Sequence, residues 1–258
     1  MVVAEVMRRT WAMTWKDVRV ELRARERMNA MLFFAGLVLF IFNFALGPDL
    51  ERLRDAAPGL LWLAFLFTGM LGLGRSFQAE RENECFEELL LTPGDRESLY
   101  FGKLAGNIVF MVMAEILILP LFAILYNLDI WGRLPGLVLV AVLGTVGFST
   151  IGTLLAAMTA HLRAREVMLP LLLFPLTVPV ILGSVRATEA LLNGPGLVEV
   201  GHWLKLLAGF DVVFLVVCPL LFEFVLQLPY FISCASVFVF KDFQFLNKLL
   251  KQYILLVD

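Results

Sequence analysis

Between residues 104 and 126 the chain runs through a membrane-length apolar stretch broken by one acid, Glu115, and one amide, Asn107. Five more stretches resemble it, at residues 29–46, 59–74, 134–160, 166–185 and 203–226. A helix needs roughly 20 apolar residues to cross a bilayer, and backbone groups in hydrocarbon must be bonded internally. These runs therefore restrict the chain to an all-α integral membrane protein with six transmembrane helices. Stretch 59–74 is short and has to borrow flanking residues. The composition agrees: 60% of the residues are hydrophobic and 17% charged, where soluble domains carry about 25%.

Lys and Arg set the expected orientation. If the N-terminus, the second and fourth connections and the C-terminus share one side, that side holds sixteen of the 21 Lys and Arg residues. The opposite side keeps Arg52, Arg54, Arg133, Arg186 and Lys205. The positive-inside rule then places both termini in the cytoplasm, as an even number of spans requires. No cleavable signal peptide is expected, because the first 28 residues are too charged. Cys85, Cys218 and Cys234 are too scattered for a metal or redox pair and read as small apolar residues. No basic field or nucleic-acid motif is present, so nucleic acid is not an expected partner.

Residues 1–28 precede the spans and read as an amphipathic interfacial helix. Trp11, Trp15, Val18 and Leu22 form an apolar stripe, and Lys16, Arg19, Arg23 and Arg27 lie on another face. Such a helix is expected in the headgroup layer, with indoles buried and cations toward anionic lipid. Residues 29–226 form the six-span domain. The tail, 227–258, has three Lys, no Arg and many aromatics. It contrasts with the rest of the chain, a read-through or frameshifted end being one explanation, and it is assigned no function.

The exception within the spans is the charged segment 77–103. Projected as a helix, Ala79, Phe86, Leu89 and Leu90 share one face and Glu80, Glu84, Glu87 and Glu88 the other. Glu82 falls toward the apolar face and calls for a cationic partner. The pattern stops at Thr92-Pro93-Gly94. A solvated juxtamembrane helix would fit. So would a coupling helix: the segment is similar to the cytosolic loop of exporter-type ABC permeases. In those, an E-x-E segment precedes L-L-x-T-P, a spacer and G-K. Here Glu80, Glu82 and Glu84 precede Leu90-Leu91-Thr92-Pro93, and Gly102-Lys103 closes the segment.

Further motifs narrow the likeness. They are Trp15-Lys16-Asp17 with Glu21-Leu22-Arg23, Leu71-Gly72-Leu73-Gly74-Arg75-Ser76-Phe77, Tyr100-Phe101-Gly102-Lys103, Gly147-Phe148-Ser149-Thr150-Ile151-Gly152-Thr153-Leu154, Leu169-Pro170-Leu171-Leu172-Leu173-Phe174-Pro175 with Pro179-Val180, and Gly209-Phe210-Asp211. From about residue 10 to about residue 226 the chain resembles the CcmB family, haem exporter protein B of bacterial cytochrome c maturation. The resemblance implies an inner-membrane permease subunit assembled with an ATP-binding subunit (CcmA-like), a haem-handling membrane subunit (CcmC-like) and a small single-span subunit (CcmD-like). ATP hydrolysis would drive haem export, or release of a haem-loaded chaperone (CcmE-like). The expected partner contacts are Glu80, Glu82, Glu84, Phe86, Leu89 and Leu90.

The residues themselves add what the chain lacks. Gly102-Lys103 has no preceding glycine at Walker A spacing, so ATP would be bound and hydrolysed only by the partner. No catalytic constellation is argued, and no cofactor or metal site is assigned to this chain. The imidazoles, His161 and His202, fall at opposite sides of the expected topology, so haem enters as cargo or as a partner's ligand. Glu115 and Asp211 are the intramembrane polar candidates. Each is costly in a span, by about 2.5–3.5 kcal/mol on insertion scales, and such groups usually serve function. A hydrogen-bonded carboxylic acid holding two helices in register is the alternative for Glu115. The ladders Gly152, Ala156, Ala160 and Ser149, Thr153, Ala157 predict a packing face within or between subunits. Pro120, Pro170, Pro175, Pro179 and Pro219 predict kinks. Alternatives stay open: a permease for another substrate, a non-transporting mechanical subunit of the same complex, or an ion-coupled carrier using Glu115 and Asp211.

Overall fold

A computed structural model describes residues 2–24, 26–47, 49–77, 96–128, 130–160, 165–193 and 200–224. Among them the elements are α1 (Val2–Ala24), α2 (Glu26–Leu46), α3 (Leu50–Arg75), α4 (Arg96–Leu125), a 3-10 turn (Trp131–Arg133), α5 (Leu134–Thr159) and α6 (Arg165–Asn193), followed by α7 (Val200–Phe224). Six helices, α2 to α7, are long and apolar enough to cross a membrane. The protein is an all-α, multi-pass membrane protein.

The helix ends follow local chemistry. Gly47 closes α2 in the left-handed region, φ 71°, where a side chain would be strained. Asp49 caps α3, its carboxylate accepting from the Glu51 and Arg52 amides. Starting there, α3 gains the length that stretch 59–74 lacked. At the end of α4, Asn127 takes φ 48° and the amides of Asn127 and Leu128 return to the carbonyls of Ile124 and Ala123. That is a Schellman stop with Asn at the left-handed position. Helix α6 continues to Asn193, beyond the expected end at residue 185. Pro170, Pro175 and Pro179 lie inside α6 and Pro120 inside α4, and both helices run on through them.

Burial identifies the centre. The membrane-length window of α5 is 72% buried and that of α3 is 61%, against 22–33% for the other four. Helices α3 and α5 are therefore the inner pair, and α2, α4, α6 and α7 present apolar faces outward. Small residues make the inner packing possible. Trp62 of α3 seats on Gly144, Leu73 on Gly152, and Phe148 of α5 on Gly69. The ladder residues Gly152, Ala156, Ala160, Ser149, Thr153 and Ala157 are all buried inside the chain, so this face packs within the subunit.

Successive spans alternate in direction. One end of the bundle gathers α1, the starts of α2, α4 and α6 and the ends of α3, α5 and α7. At the other end the Asn43 amide donates to the Leu125 carbonyl at 2.7 Å, the Tyr126 hydroxyl to that of Leu39 at 3.2 Å, and the Arg133 guanidinium to that of Leu192.

Candidate functional site

Glu80, Glu82, Glu84, Phe86, Leu89 and Leu90 lie outside the described residues, as does His161. The structure does describe both stems of segment 78–95: the end of α3 through Phe77, and the first turns of α4. These stems are joined. Lys103, only 2% exposed, places its ammonium 2.9 Å from Asp17 Oδ2 of α1 and donates to the Ser76 carbonyl at 3.0 Å. Ser76 is the C-cap of α3, where the unpaired carbonyls favour a cation. The ammonium also lies 5.4 Å from the Phe77 ring centroid.

Helix α1 is held on the same stem. The Thr14 hydroxyl makes hydrogen bonds with the carbonyls of Thr10, at 2.9 Å, and Gly102, at 3.1 Å. A Cβ on Gly102 would stand 2.8 Å from that of Met13, so only glycine admits this approach. The opposite face of α1 carries Trp11 and Trp15, 68% and 52% exposed, their rings stacked at 6.3 Å.

One residue of the expected cationic face of α1 is placed differently. Arg27 belongs to α2 and is buried, not turned outward. Its guanidinium donates to Asn107 Oδ1 at 2.9 Å and sits 4.5 Å from the Phe110 ring centroid. Asn107 donates in turn to the Thr153 hydroxyl at 2.9 Å, and Thr153 donates to the Ser149 carbonyl at 2.7 Å. The chain of bonds ties α2, α4 and α5 together. The α1 periodicity cannot extend to Arg27, because the helix ends at Ala24 and a new one starts at Glu26.

Deeper in the bundle, Glu115 and Asp211 lie near the middles of α4 and α7, flanking α5 on different faces. Each is 4% exposed. Glu115 accepts from the Thr145 hydroxyl of α5. Asp211 fits against Gly147, where a Cβ would come 2.5 Å from its Oδ1. Neither Asp211 oxygen has a hydrogen-bond partner among the described residues. Glu115 thus has the interhelical bond expected of a register-holding acid, whereas Asp211 is a buried polar group that no hydrogen bond compensates among the described residues. His202 is the one imidazole among the described residues, exposed and edge-on to Trp203 at 5.8 Å.

Two polar devices at one end of a six-helix bundle, and two acids at its middle, define an integral membrane protein with a charged inter-span segment between two braced stems. The chain belongs to the CcmB family: the profile described as CcmB protein matches residues 8–228. It is similar to heme exporter protein B of Pseudomonas aeruginosa, 34% identical over 184 residues, covering 71% of this chain and 81% of that one. The Haemophilus influenzae heme exporter protein B is 31% identical over 177 residues, 68% of this chain and 79% of the relative. That of Bradyrhizobium diazoefficiens is 28% identical over 209 residues, covering 81% and 92%.

Proposed function

We propose that this chain is the permease subunit of an ABC-type complex for cytochrome c maturation, coupling ATP hydrolysis by a partner to haem export or to release of a haem-loaded chaperone. Membership of the CcmB family over residues 8–228 is the observation that carries this reading. The similar proteins are named for heme export. The sequence has no Walker A loop, so the energy enters through a CcmA-like subunit. CcmC-like and CcmD-like subunits and a CcmE-like chaperone complete the assembly.

The protein sits in the bacterial inner membrane with segment 77–103 and both termini on the cytoplasmic side, as the Lys and Arg distribution supports. The exposed Trp11 and Trp15 suit the headgroup layer. Segment 77–103 docks in the ATPase through Glu80, Glu82, Glu84, Phe86, Leu89 and Leu90. Replacing residues 80–90 by a Gly/Ser linker leaves the chain in the membrane and removes the ATPase from the purified complex. ATPase co-purifying at wild-type yield with the linker variant would sink this reading.

A second reading has its own support. At mid-depth, Trp62, Phe65, Met111, Thr145, Phe148 and Ile181 surround a void of about 10 Å³, room for about one water. A larger cavity of about 440 Å³ lies at one end of the bundle, between Leu73, Phe77, Ala156, Ala160 and Leu169, so the close packing is a property of mid-depth, where it suits a subunit that carries motion to a haem-holding partner. Haem bound among this chain's own spans in the purified complex would exclude it.

A further inference from the structure

The charged segment reaches the bundle through two stems, and one ammonium holds both. Lys103 lies on the α4 stem and bonds the C-cap carbonyl of the α3 stem at Ser76, 3.0 Å away. The same nitrogen pairs with Asp17 at 2.9 Å, which brings in α1. Phe77, the next residue of the α3 stem, offers its ring to the same cation at 5.4 Å. Thr14 and the side-chain-free Gly102 bring α1 into direct contact with the α4 stem one residue earlier. Helix propensity does not require these contacts, and an isolated ammonium with 2% exposure would be costly. The arrangement compensates that charge with groups drawn from two other elements, α1 and the end of α3.

We propose that Lys103 is a positioning residue that makes α1, the end of α3 and the start of α4 into one rigid block, so that a push on segment 78–95 moves all three helices together. This rests on the reading that segment 77–103 docks a partner ATPase. Bonds of a charged group to a carboxylate and a helix-terminal carbonyl are strong and directional, so the block resists separation of the stems. Without Lys103 the stems can part, and displacement of the segment is absorbed locally before it reaches the spans. The role is mechanical: Lys103 acts through the helices it joins.

The test uses the whole complex, purified with its ATPase subunit, comparing Lys103→Met, Lys103→Arg and Asp17→Asn. ATPase co-purification and cytochrome c maturation are both measured. Lys103→Met is expected to retain the ATPase at wild-type stoichiometry while maturation falls about tenfold, the loss of a charge-assisted pair. Lys103→Arg, which keeps charge and donors, restores maturation to within about threefold, and Asp17→Asn falls between the two. Wild-type maturation in both Lys103→Met and Asp17→Asn overturns the proposal while leaving ATPase docking intact. Loss of the ATPase from Lys103→Met also overturns it, since Lys103 would then belong to the docking surface. If Lys103→Met does not accumulate in the membrane, Asp17→Asn and Lys103→Arg decide: reduced maturation in the first with recovery in the second supports the block, and no reduction overturns it. Failure of the docking reading is seen separately, in the Gly/Ser variant that keeps its ATPase.

Discussion

Substituting Gly144 by alanine tests the inner packing where α3 and α6 both close on α5. The added methyl would meet the Trp62 ring, with Cζ3 only 2.6 Å away, and Ser184 Oγ at 2.8 Å. Trp62 cannot swing aside freely, because its indole N–H donates to the Thr188 hydroxyl at 2.9 Å. Overpacking of this kind costs about 1–3 kcal/mol. Moving the indole forfeits a hydrogen bond worth about 0.5–1.5 kcal/mol. Alanine returns about 1 kcal/mol through helix propensity. The balance is a loss of about 1–3 kcal/mol, or roughly 5 °C in Tm for a chain of this size. Thermal unfolding of the detergent-purified protein reads this directly. Gly209→Ala is the control, since nothing lies within 4 Å of its Cβ position, and its Tm should hold or rise. Trp62→Phe removes the ring atoms that clash, so the double variant should be less destabilised than the sum of the singles by about 1 kcal/mol. A Gly144→Ala protein melting with the wild type, or strict additivity with Trp62→Phe, would refute the reasoning.

Two further substitutions probe the polar groups. Asn107→Leu removes both the acceptor for Arg27 and the donor to Thr153; stability should fall by about 2–3 kcal/mol, and an unchanged Tm would show that the bonds are replaceable. Asp211→Asn is isosteric at a site where neither oxygen has a partner among the described residues. Its Tm should stay within about 2 °C of wild type, given that no bond is lost, while cytochrome c maturation drops; full maturation would remove Asp211 from the functional set.

The spans were legible because apolar length is a strong signal, and the flanking residues resolved their ends. Stretch 59–74 became a full span only through the Asp49 cap, ten residues earlier, where charges at Glu51, Arg52, Arg54 and Asp55 masked the helix. The Schellman stop at Asn127 was less visible, since asparagine is a weaker left-handed signal than the glycine at 47. Glu115 and Asp211 stood out as charges in apolar runs, and both are buried. The Arg27–Asn107–Thr153 chain has no signature in the sequence: Arg27 is one more cation in a basic N-terminus, and its partner lies 80 positions away. Lys103 is half of a Gly-Lys motif in the sequence, but its hold on Ser76 and Asp17 depends on three helices converging, which periodicity along one helix does not encode.

That distance of 80 positions between Arg27 and Asn107 also has a meaning in time. The connection from Gly47 to Asp49 is short enough for α2 and α3 to insert as a hairpin, with Arg27 at the foot that is translated first. At about 5–20 residues per second of synthesis, Asn107 leaves the ribosome roughly 4–16 s later. Through that interval Arg27 must keep to the lipid headgroups or to water. The bundle therefore closes around Arg27 only when α4 arrives, and the order of translation becomes part of how the buried charge is accommodated.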